Sequence, residues 1–204
     1  MSEKAQSWFR KDRTEGLTDG IFATVMTILV LSLVVPTVTG QNASATLQSD
    51  VYNLIPDILA YAITFIFLGV LWISHQNIFS HIVTIDLRVL WINILLLLSV
   101  ALAPFSTALL GRYPLQPIAV LAYGINALIV SILFNILWFY PRIQHLTHEE
   151  PNQEIIGKRS KIVLVGPIAY SLAIVFSFLA PEISLGLYAF VTVFYIIFGG
   201  RYFD

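Results

Sequence analysis

Six apolar stretches, each long enough to cross the hydrocarbon core of a bilayer, dominate the hydrophobic pattern of the chain. A helix needs about 20 mainly apolar residues to span roughly 30 Å of hydrocarbon. Polar or proline-containing segments separate the stretches, and the tight turn at Pro181 and Glu182 predicts an antiparallel helix pair. The predicted spans cover about residues 17–35, 54–73, 87–105, 117–140, 162–180 and 183–199.

This pattern predicts an all-α membrane protein with a single six-helix transmembrane domain over residues 1–204. The composition agrees, because 57% of the residues are hydrophobic and only 11% are charged, which is too apolar for a globular surface in water. The first apolar run continues directly into a long span, so we expect no cleavable signal peptide. The chain has no cysteine, which excludes disulfide bonds and thiolate chemistry.

The distribution of Lys and Arg predicts the orientation of the spans. Six crossings bring both termini to one side, and cytoplasmic loops are enriched in basic residues. Of the eleven basic residues, only Arg112 falls on the opposite side. We therefore expect cytoplasmic termini in a multi-pass protein of the cell membrane. The ten on the predicted cytoplasmic side are Lys4, Arg10, Lys11, Arg13, Arg88, Arg142, Lys158, Arg159, Lys161 and Arg201.

Asp19 lies about one turn inside the first predicted span, where an ionisable side chain costs roughly 2.5–3.5 kcal/mol unless its surroundings compensate. Arg13 precedes it by six residues, a rotation of about 240° on an ideal helix, so the two side chains do not share a face. Partners are therefore expected on other helices. Trp72, His75 and Asn93 fall at the same depth and offer an indole N–H, an imidazole and an amide.

Two other interpretations of these residues stay open. His75 and His81 also suit an interfacial loop, with Trp72 and Trp91 as anchors among the lipid headgroups. A metal site built from His75, His81 and Asp86 is the remaining interpretation. Because that spacing matches none of the common ligand patterns, we expect no metal.

One face of the first predicted helix combines small, hydroxyl and branched apolar side chains. At 100° per residue these positions fall within an arc of about 100°, and Asp19 points about 130° away from its centre. Such a face is either a helix-packing surface or the lining of a pore, in which symmetry-related copies form hydroxyl rings and hydrophobic constrictions. The positions are Gly20, Thr24, Thr27, Ile28, Leu31 and Val35.

The segment from Arg13 to Asp19 resembles the Arg-x-x-x-Phe-Ser-Asp signature that opens the first helix of the transmembrane protein 175 family of potassium channels. Leu17 and Thr18 replace the Phe and Ser of that signature, and Gln76 stands where a second His is common. Further matching segments bring the resemblance to about residues 10–112. They are Trp72-Ile-Ser-His75-Gln-Asn-Ile-Phe79, Leu90-Trp-Ile-Asn93 and Ala103-Pro-Phe-Ser-Thr-Ala-Leu-Leu-Gly111.

The resemblance implies a homotetramer in the lipid bilayer, with four first helices around a central pore that selects potassium over sodium without a carbonyl filter. It also implies proton permeation as a further property, and a bacterial source, since the members with a single six-helix repeat are bacterial. No Thr-Val-Gly-Tyr-Gly segment is present, in agreement with the absence of such a filter. We expect K⁺ as the permeant ion, no cofactor, no catalytic residue and no nucleic-acid partner. A secondary transporter with a midplane substrate site is the leading alternative, followed by an intramembrane enzyme and a purely structural membrane protein.

Pore positions in the family fall five, eight, nine and twelve residues after the signature Asp. Here they are Thr24, Thr27, Ile28 and Leu31, which already belong to the helical face described above. The first position is usually a bulky aliphatic residue, so Thr24 weakens that constriction and leaves Ile28 and Leu31 as the expected gates. The expected structural network comprises Arg13, Thr18, Asp19, Trp72, His75 and Asn93.

Overall fold

The structure, a computed structural model, describes residues 10–37, 43–148 and 153–199. These segments are helical along most of their length, and a 3₁₀ helix at Leu29–Ser32 directly continues the first α-helix. The α-helices of the described residues are α1 Lys11–Ile28, α2 Ala43–Asn53, α3 Ile55–His81, α4 Leu87–Ala101, α5 Ala103–Arg112, α6 Pro117–Ile143, α7 Gln153–Val163, α8 Val165–Phe176 and α9 Pro181–Gly199.

Within the described residues, six helical segments are long and apolar enough to cross a membrane, which confirms the predicted number of spans. The first segment combines α1 with the 3₁₀ helix, and three others combine two consecutive α-helices, namely α2 with α3, α4 with α5, and α7 with α8. The segments are Lys11–Ser32, Thr46–His81, Leu87–Arg112, Pro117–Ile143, Gly157–Phe176 and Pro181–Phe198.

The ends of several spans differ from the predicted ones. The first span begins at Lys11 and ends at Ser32, before the predicted end at residue 35. Pro36 explains the early end, because it has no N–H for the Ser32 carbonyl and disfavours a helical residue before it. The second span runs on to His81, through a polar stretch that had been expected to separate two spans. His75 is tolerated inside this helix because another helix supplies its hydrogen-bond partner.

Proline also explains the break between α7 and α8 at Leu164. Pro167 has no N–H, so the carbonyl of Val163 lacks its usual helical donor. The side chain of Asn135 on α6 donates to this carbonyl at 2.9 Å, and the hydroxyl of Tyr195 on α9 lies 3.3 Å from it. The kink is therefore stabilised by two other helices, as the bilayer requires for any backbone group that a proline frees.

The interior of the subunit combines aromatic packing with satisfied hydroxyl groups. Tyr123 and Tyr188 lie with ring centroids 4.8 Å apart, and the Tyr188 hydroxyl donates to the Val120 carbonyl at 2.8 Å. Thr107 donates to Thr64 at 3.0 Å, and Thr64 in turn lies 3.2 Å from the Tyr123 hydroxyl. These bonds connect α3, α5, α6 and α9 without leaving those hydroxyls unpaired in a medium of low polarity.

The α1 helix packs against α3, α4 and α5 through one face only. Its buried side chains recur every three or four residues, which is the spacing of one helical face. They are Thr14, Thr18, Phe22 and Val25, and Leu29 of the 3₁₀ helix extends them. The remaining positions are partly or fully exposed in the single chain, and the predicted pore positions Thr24, Thr27, Ile28 and Leu31 are among the exposed ones.

Candidate pore face and signature network

A buried chain of hydrogen bonds joins α1, α3 and α4 at the signature segment. Thr18 donates its hydroxyl proton to the Thr14 carbonyl at 2.9 Å, so its oxygen is free to accept from Asn93 Nδ2 at 3.1 Å. Asn93 Oδ1 lies 2.9 Å from Nε2 of His75. Because this oxygen carries no proton, the imidazole must donate, which identifies the Nε2–H as the proton of this bond.

The three side chains of this chain of bonds are almost fully enclosed. Thr18 is 0%, Asn93 1% and His75 2% exposed. The imidazole also stacks on Phe79 of the same helix, with ring centroids 4.2 Å apart. The fixed direction of each bond and the absence of solvent make this network a specific attachment of α1 to the subunit.

Asp19 belongs to a second, separate group of hydrogen bonds. Its Oδ1 atom accepts from Nε1 of Trp72 at 2.8 Å and from Nε2 of Gln76 at 3.1 Å. Both donors lie on α3, one turn apart, and so the carboxylate connects α1 to α3. The partners of Asp19 are on another helix, as expected, but only Trp72 of the predicted partners is among them. Asn93 donates to Thr18 instead, and His75 bonds to Asn93.

Gln76 is the network residue that sequence reasoning missed. The sequence shows Gln76 only as a departure from the family pattern, in which a second His is common at this position. The amide of Gln76 supplies an N–H donor to the Asp19 carboxylate, a kind of donor that an imidazole also has. Arg13 is exposed, and no ion pair joins it to Asp19 among the described residues.

The predicted pore positions lie together on the exposed side of α1 and of the 3₁₀ helix. Thr24 and Thr27 are both exposed in the single chain, and Ile28 is 46% and Leu31 73% exposed. Gly20 has no atom within 4 Å of the place that a Cβ would occupy. Among residues 10–37, 43–148 and 153–199, this face therefore has no partner within the subunit.

The two exposed threonines use their hydroxyl protons within their own helix. Thr24 donates to the Gly20 carbonyl at 2.7 Å, and Thr27 lies 3.0 Å from the carbonyl of Ala23 and 2.8 Å from that of Thr24. A hydroxyl has one donor and two acceptor lone pairs. With the proton directed to the helix, the lone pairs are the part of each hydroxyl that remains for a group outside the chain.

The 3₁₀ helix changes the position of Leu31 relative to an α-helix. Residues three apart on a 3₁₀ helix eclipse one another, because there are three residues per turn rather than 3.6. Leu31 consequently lies almost directly above Ile28, about 60° from where an α-helix would place it. The two apolar side chains form consecutive layers on the same line along the helix.

The three residues considered for a metal site take part in unrelated hydrogen bonds. His75 binds Asn93, and Nδ1 of His81 lies 2.7 Å from the Asn77 carbonyl. Asp86 caps α4 by accepting from the Val89 N–H at 2.8 Å. In the part of the chain that the structure describes, no three His, Asp or Glu side chains are grouped as a metal would require.

The cytoplasmic end of α1, in the predicted orientation, is held by the loop that follows α3. Lys11 Nζ donates to the Ile82 carbonyl at 3.0 Å. Ile82 itself forms an isolated antiparallel bridge with Thr147, and the Val83 N–H donates to the Leu146 carbonyl at 2.8 Å. The segment that holds α1 is thus attached to the one that follows α6.

Comparisons with known proteins agree with this architecture. The sequence pattern of a family described as the endosomal/lysosomal potassium channel TMEM175 matches residues 13–104. A potassium channel of Chamaesiphon minutus is 32% identical over 182 residues, which are 86% of this chain and 88% of that protein. The chain belongs to the TMEM175 family. The resemblance seen in the signature segments is therefore confirmed.

Solved structures and vertebrate proteins extend the TMEM175 comparison. The crystal structure of a lysosomal potassium-selective channel TMEM175 homologue from Chamaesiphon minutus superposes with a TM-score of 0.80 at 29% identity, over 92% of this chain and 96% of that one. An endosomal/lysosomal proton channel TMEM175 of Gallus gallus is 24% identical over 147 residues, 69% of this chain and 29% of the longer protein. Each of these TMEM175 proteins is described as a channel, and none as an enzyme.

Proposed function

We propose that this chain is the subunit of a homotetrameric, potassium-permeable channel of the cell membrane, in which four copies of α1 surround a central pore. The observation that carries the proposal is the unpartnered face of α1, on which Thr24, Thr27, Ile28 and Leu31 are all exposed while the opposite face is buried. The chain belongs to the TMEM175 family, and a bacterial relative in it is called a potassium channel. This membership favours a pore lining over a lipid-facing surface as the role of the exposed face.

The chemistry of this face suits a passing cation. Potassium must shed much of its hydration shell to enter a narrow pore, and oxygen lone pairs can replace part of that shell. The hydroxyls of Thr24 and Thr27 offer lone pairs because their protons are donated to helix carbonyls. We infer that they form the hydrophilic layers of the pore, and that a tight passage penalises sodium through its higher cost of dehydration.

Ile28 and Leu31 supply the proposed constrictions. Apolar rings in a pore gate conduction by excluding water when the passage is narrow. The alignment of Leu31 above Ile28 puts two such rings in consecutive layers, one turn of the 3₁₀ helix apart, or roughly 6 Å at about 2 Å per residue. Thr24 has no apolar bulk to contribute, and so we assign it to the hydrophilic part.

The signature residues have a structural role in this proposal. Asp19 accepts hydrogen bonds from Trp72 and Gln76 on α3, and Thr18 accepts one from Asn93 on α4, so both residues connect α1 to other helices of the same subunit. They therefore set the angle and depth of α1 rather than coordinate an ion. Arg13 is assigned to the exposed cytoplasmic end of the same helix.

The proposed orientation places both termini in the cytoplasm. It depends on the distribution of basic residues, of which Lys4 and Arg201 lie outside the described residues. Proton permeation is a second candidate property, favoured by the name of the vertebrate relatives. A hydroxyl-lined passage that admits partly hydrated cations also gives protons hydrogen-bonding groups to move along.

Two measurements on the purified full chain test the proposal. Native mass or single-particle imaging should give four subunits, and a monomer would eliminate a pore made by one helix per chain. In liposomes we expect passive flux driven by a potassium gradient or by voltage, with sodium passing more slowly. Absence of flux under any gradient would contradict the channel, and flux that requires a second, coupled substrate would favour a transporter. Parallel measurement of internal pH separates proton permeation from potassium permeation.

A further inference from the structure

A narrow cavity lies inside the subunit, enclosed by α3, α6, α7 and α9 and separate from the exposed face of α1. Its wall follows α3 from Phe67 to Ile78, a distance of roughly 16 Å at 1.5 Å per residue. The free space within it is about 50 Å³. The lining of this slot is elongated along α3 and mostly apolar, which suits an extended hydrocarbon chain better than a compact polar ligand.

Two polar atoms of the slot have no hydrogen-bond partner among the described residues, namely Nε of Arg159 and Oδ1 of Asn135. Asn135 is only 9% exposed, and its amide nitrogen is already used by the Ser131 and Val163 carbonyls. A buried N–H of a guanidinium is costly without an acceptor. Since the group is cationic, an anionic acceptor satisfies it best.

The surroundings of Arg159 identify the source of that anion. Arg159 lies on α7 within a basic segment that also contains Lys158 and Lys161, on the predicted cytoplasmic side. Basic segments beside membrane helices attract anionic lipids, and basic pockets between helices on this side bind their headgroups. The slot runs from this cation into the bundle along a mostly apolar wall that includes Leu71 and Phe134.

We propose that the slot binds one acyl chain of an anionic phospholipid from the cytoplasmic leaflet, with the lipid phosphate accepting from Nε of Arg159. The apolar side chains of the wall change rotamer to admit the chain, because the slot is narrow. Asn135 Oδ1 is an acceptor and cannot bind the phosphate, so a water that enters with the headgroup supplies its donor. The proposal uses the membrane orientation inferred above but does not depend on ion conduction.

Trp138 provides an internal reporter for this site. Its ring lines the slot and is 1% exposed, so lipid outside the subunit does not touch it. We suggest reconstituting the full chain in phosphatidylcholine vesicles that contain a minor fraction of phosphatidylglycerol with brominated chains, which quench indole fluorescence on contact. Quenching is measured in the unsubstituted protein and in Trp138→Phe. The difference between the two is the contribution of Trp138. Native mass spectrometry of the unlabelled protein counts retained phosphatidylglycerol without any Trp variant.

Arg159→Gln is the decisive substitution, and Lys161→Gln is its matched control, because Lys161 is exposed, carries the same charge and does not line the slot. We expect Arg159→Gln to weaken phosphatidylglycerol retention by roughly tenfold and to abolish the Trp138 quenching, while Lys161→Gln keeps both. Equal losses in the two variants would reduce the effect to surface charge and overturn the proposal. Absence of Trp138 quenching in the unsubstituted protein would mean that no phosphatidylglycerol chain enters the slot, and it would also overturn the proposal. Neither measurement reads ion flux, so this proposal and the channel proposal can fail separately.

Discussion

The two faces of α1 carry the same residue type in opposite settings. Thr18 is fully buried, and its hydroxyl accepts a hydrogen bond from Asn93 on α4. Thr24 and Thr27 are exposed, and within the described part of the chain their hydroxyls bond to carbonyls of their own helix. A threonine in a membrane helix thus attaches the helix when another helix supplies a donor, and presents unused lone pairs when none does.

Removing the amide at the centre of the buried network should have the largest effect on stability. Asn93→Leu keeps the approximate volume but leaves the His75 Nε2–H without its acceptor, and a buried unsatisfied group costs about 1–3 kcal/mol. We expect the midpoint of thermal unfolding in detergent to fall clearly. Thr24→Val on the exposed face is the control, with a change within about 0.5 kcal/mol. Equal destabilisation by the two variants would remove the distinction between the faces.

A smaller loss of stability is expected for Asp19→Asn. The amide can keep one oxygen as acceptor for Trp72 and Gln76, so mainly the charge is lost, and charge-assisted bonds are roughly twice as strong as neutral ones. A decrease of about 1 kcal/mol in the free energy of unfolding follows. Selectivity, measured as the reversal potential between potassium and sodium, should stay unchanged. A shift in that potential with normal stability would assign Asp19 to the pore instead.

On the exposed face, Leu31→Ala should change conduction with little change in folding. The substitution widens an apolar ring, and we expect single-channel conductance to rise by about threefold if that ring limits flow. Leu98→Ala on α4 is the matched control, because Leu98 is also highly exposed, at 59% against 73% for Leu31. Conductance and permeability ratios that match those of the control would exclude Leu31 from the constriction.

The smallest effect, a change in the potassium-to-sodium permeability ratio, is expected from substitutions at Thr27. Thr27→Ser retains the hydroxyl and should leave the potassium-to-sodium permeability ratio nearly unchanged. Thr27→Val removes the lone pairs with almost the same shape, and the ratio should fall by about twofold to fivefold, as for the loss of one modest hydrogen bond. If Ser and Val behave alike, the hydroxyl at this layer has no part in ion binding.

Particular residues show how far the sequence could predict this site. The depth and direction of Asp19 indicated partners on other helices, and Trp72 was among those proposed. The division into two hydrogen-bonded groups was not predictable, because depth alone does not say which side chains at one level meet. Gln76 was missed for the same reason, since its amide reaches Asp19 only once α1 and α3 are packed together.

The number of spans and the helical face of Thr24, Thr27 and Ile28 were determined by the sequence itself. Both depend on short-range properties, namely the length of an apolar run and the 3.6-residue period. The direction of the bonds from His75 through Asn93 to Thr18, the 3₁₀ helix that aligns Leu31 with Ile28, and the slot beside Arg159 were decided only by tertiary structure. The bonds and the slot depend on distances between residues far apart in the chain. The 3₁₀ helix is a departure from the α-helix. The periodicity of the sequence encodes neither.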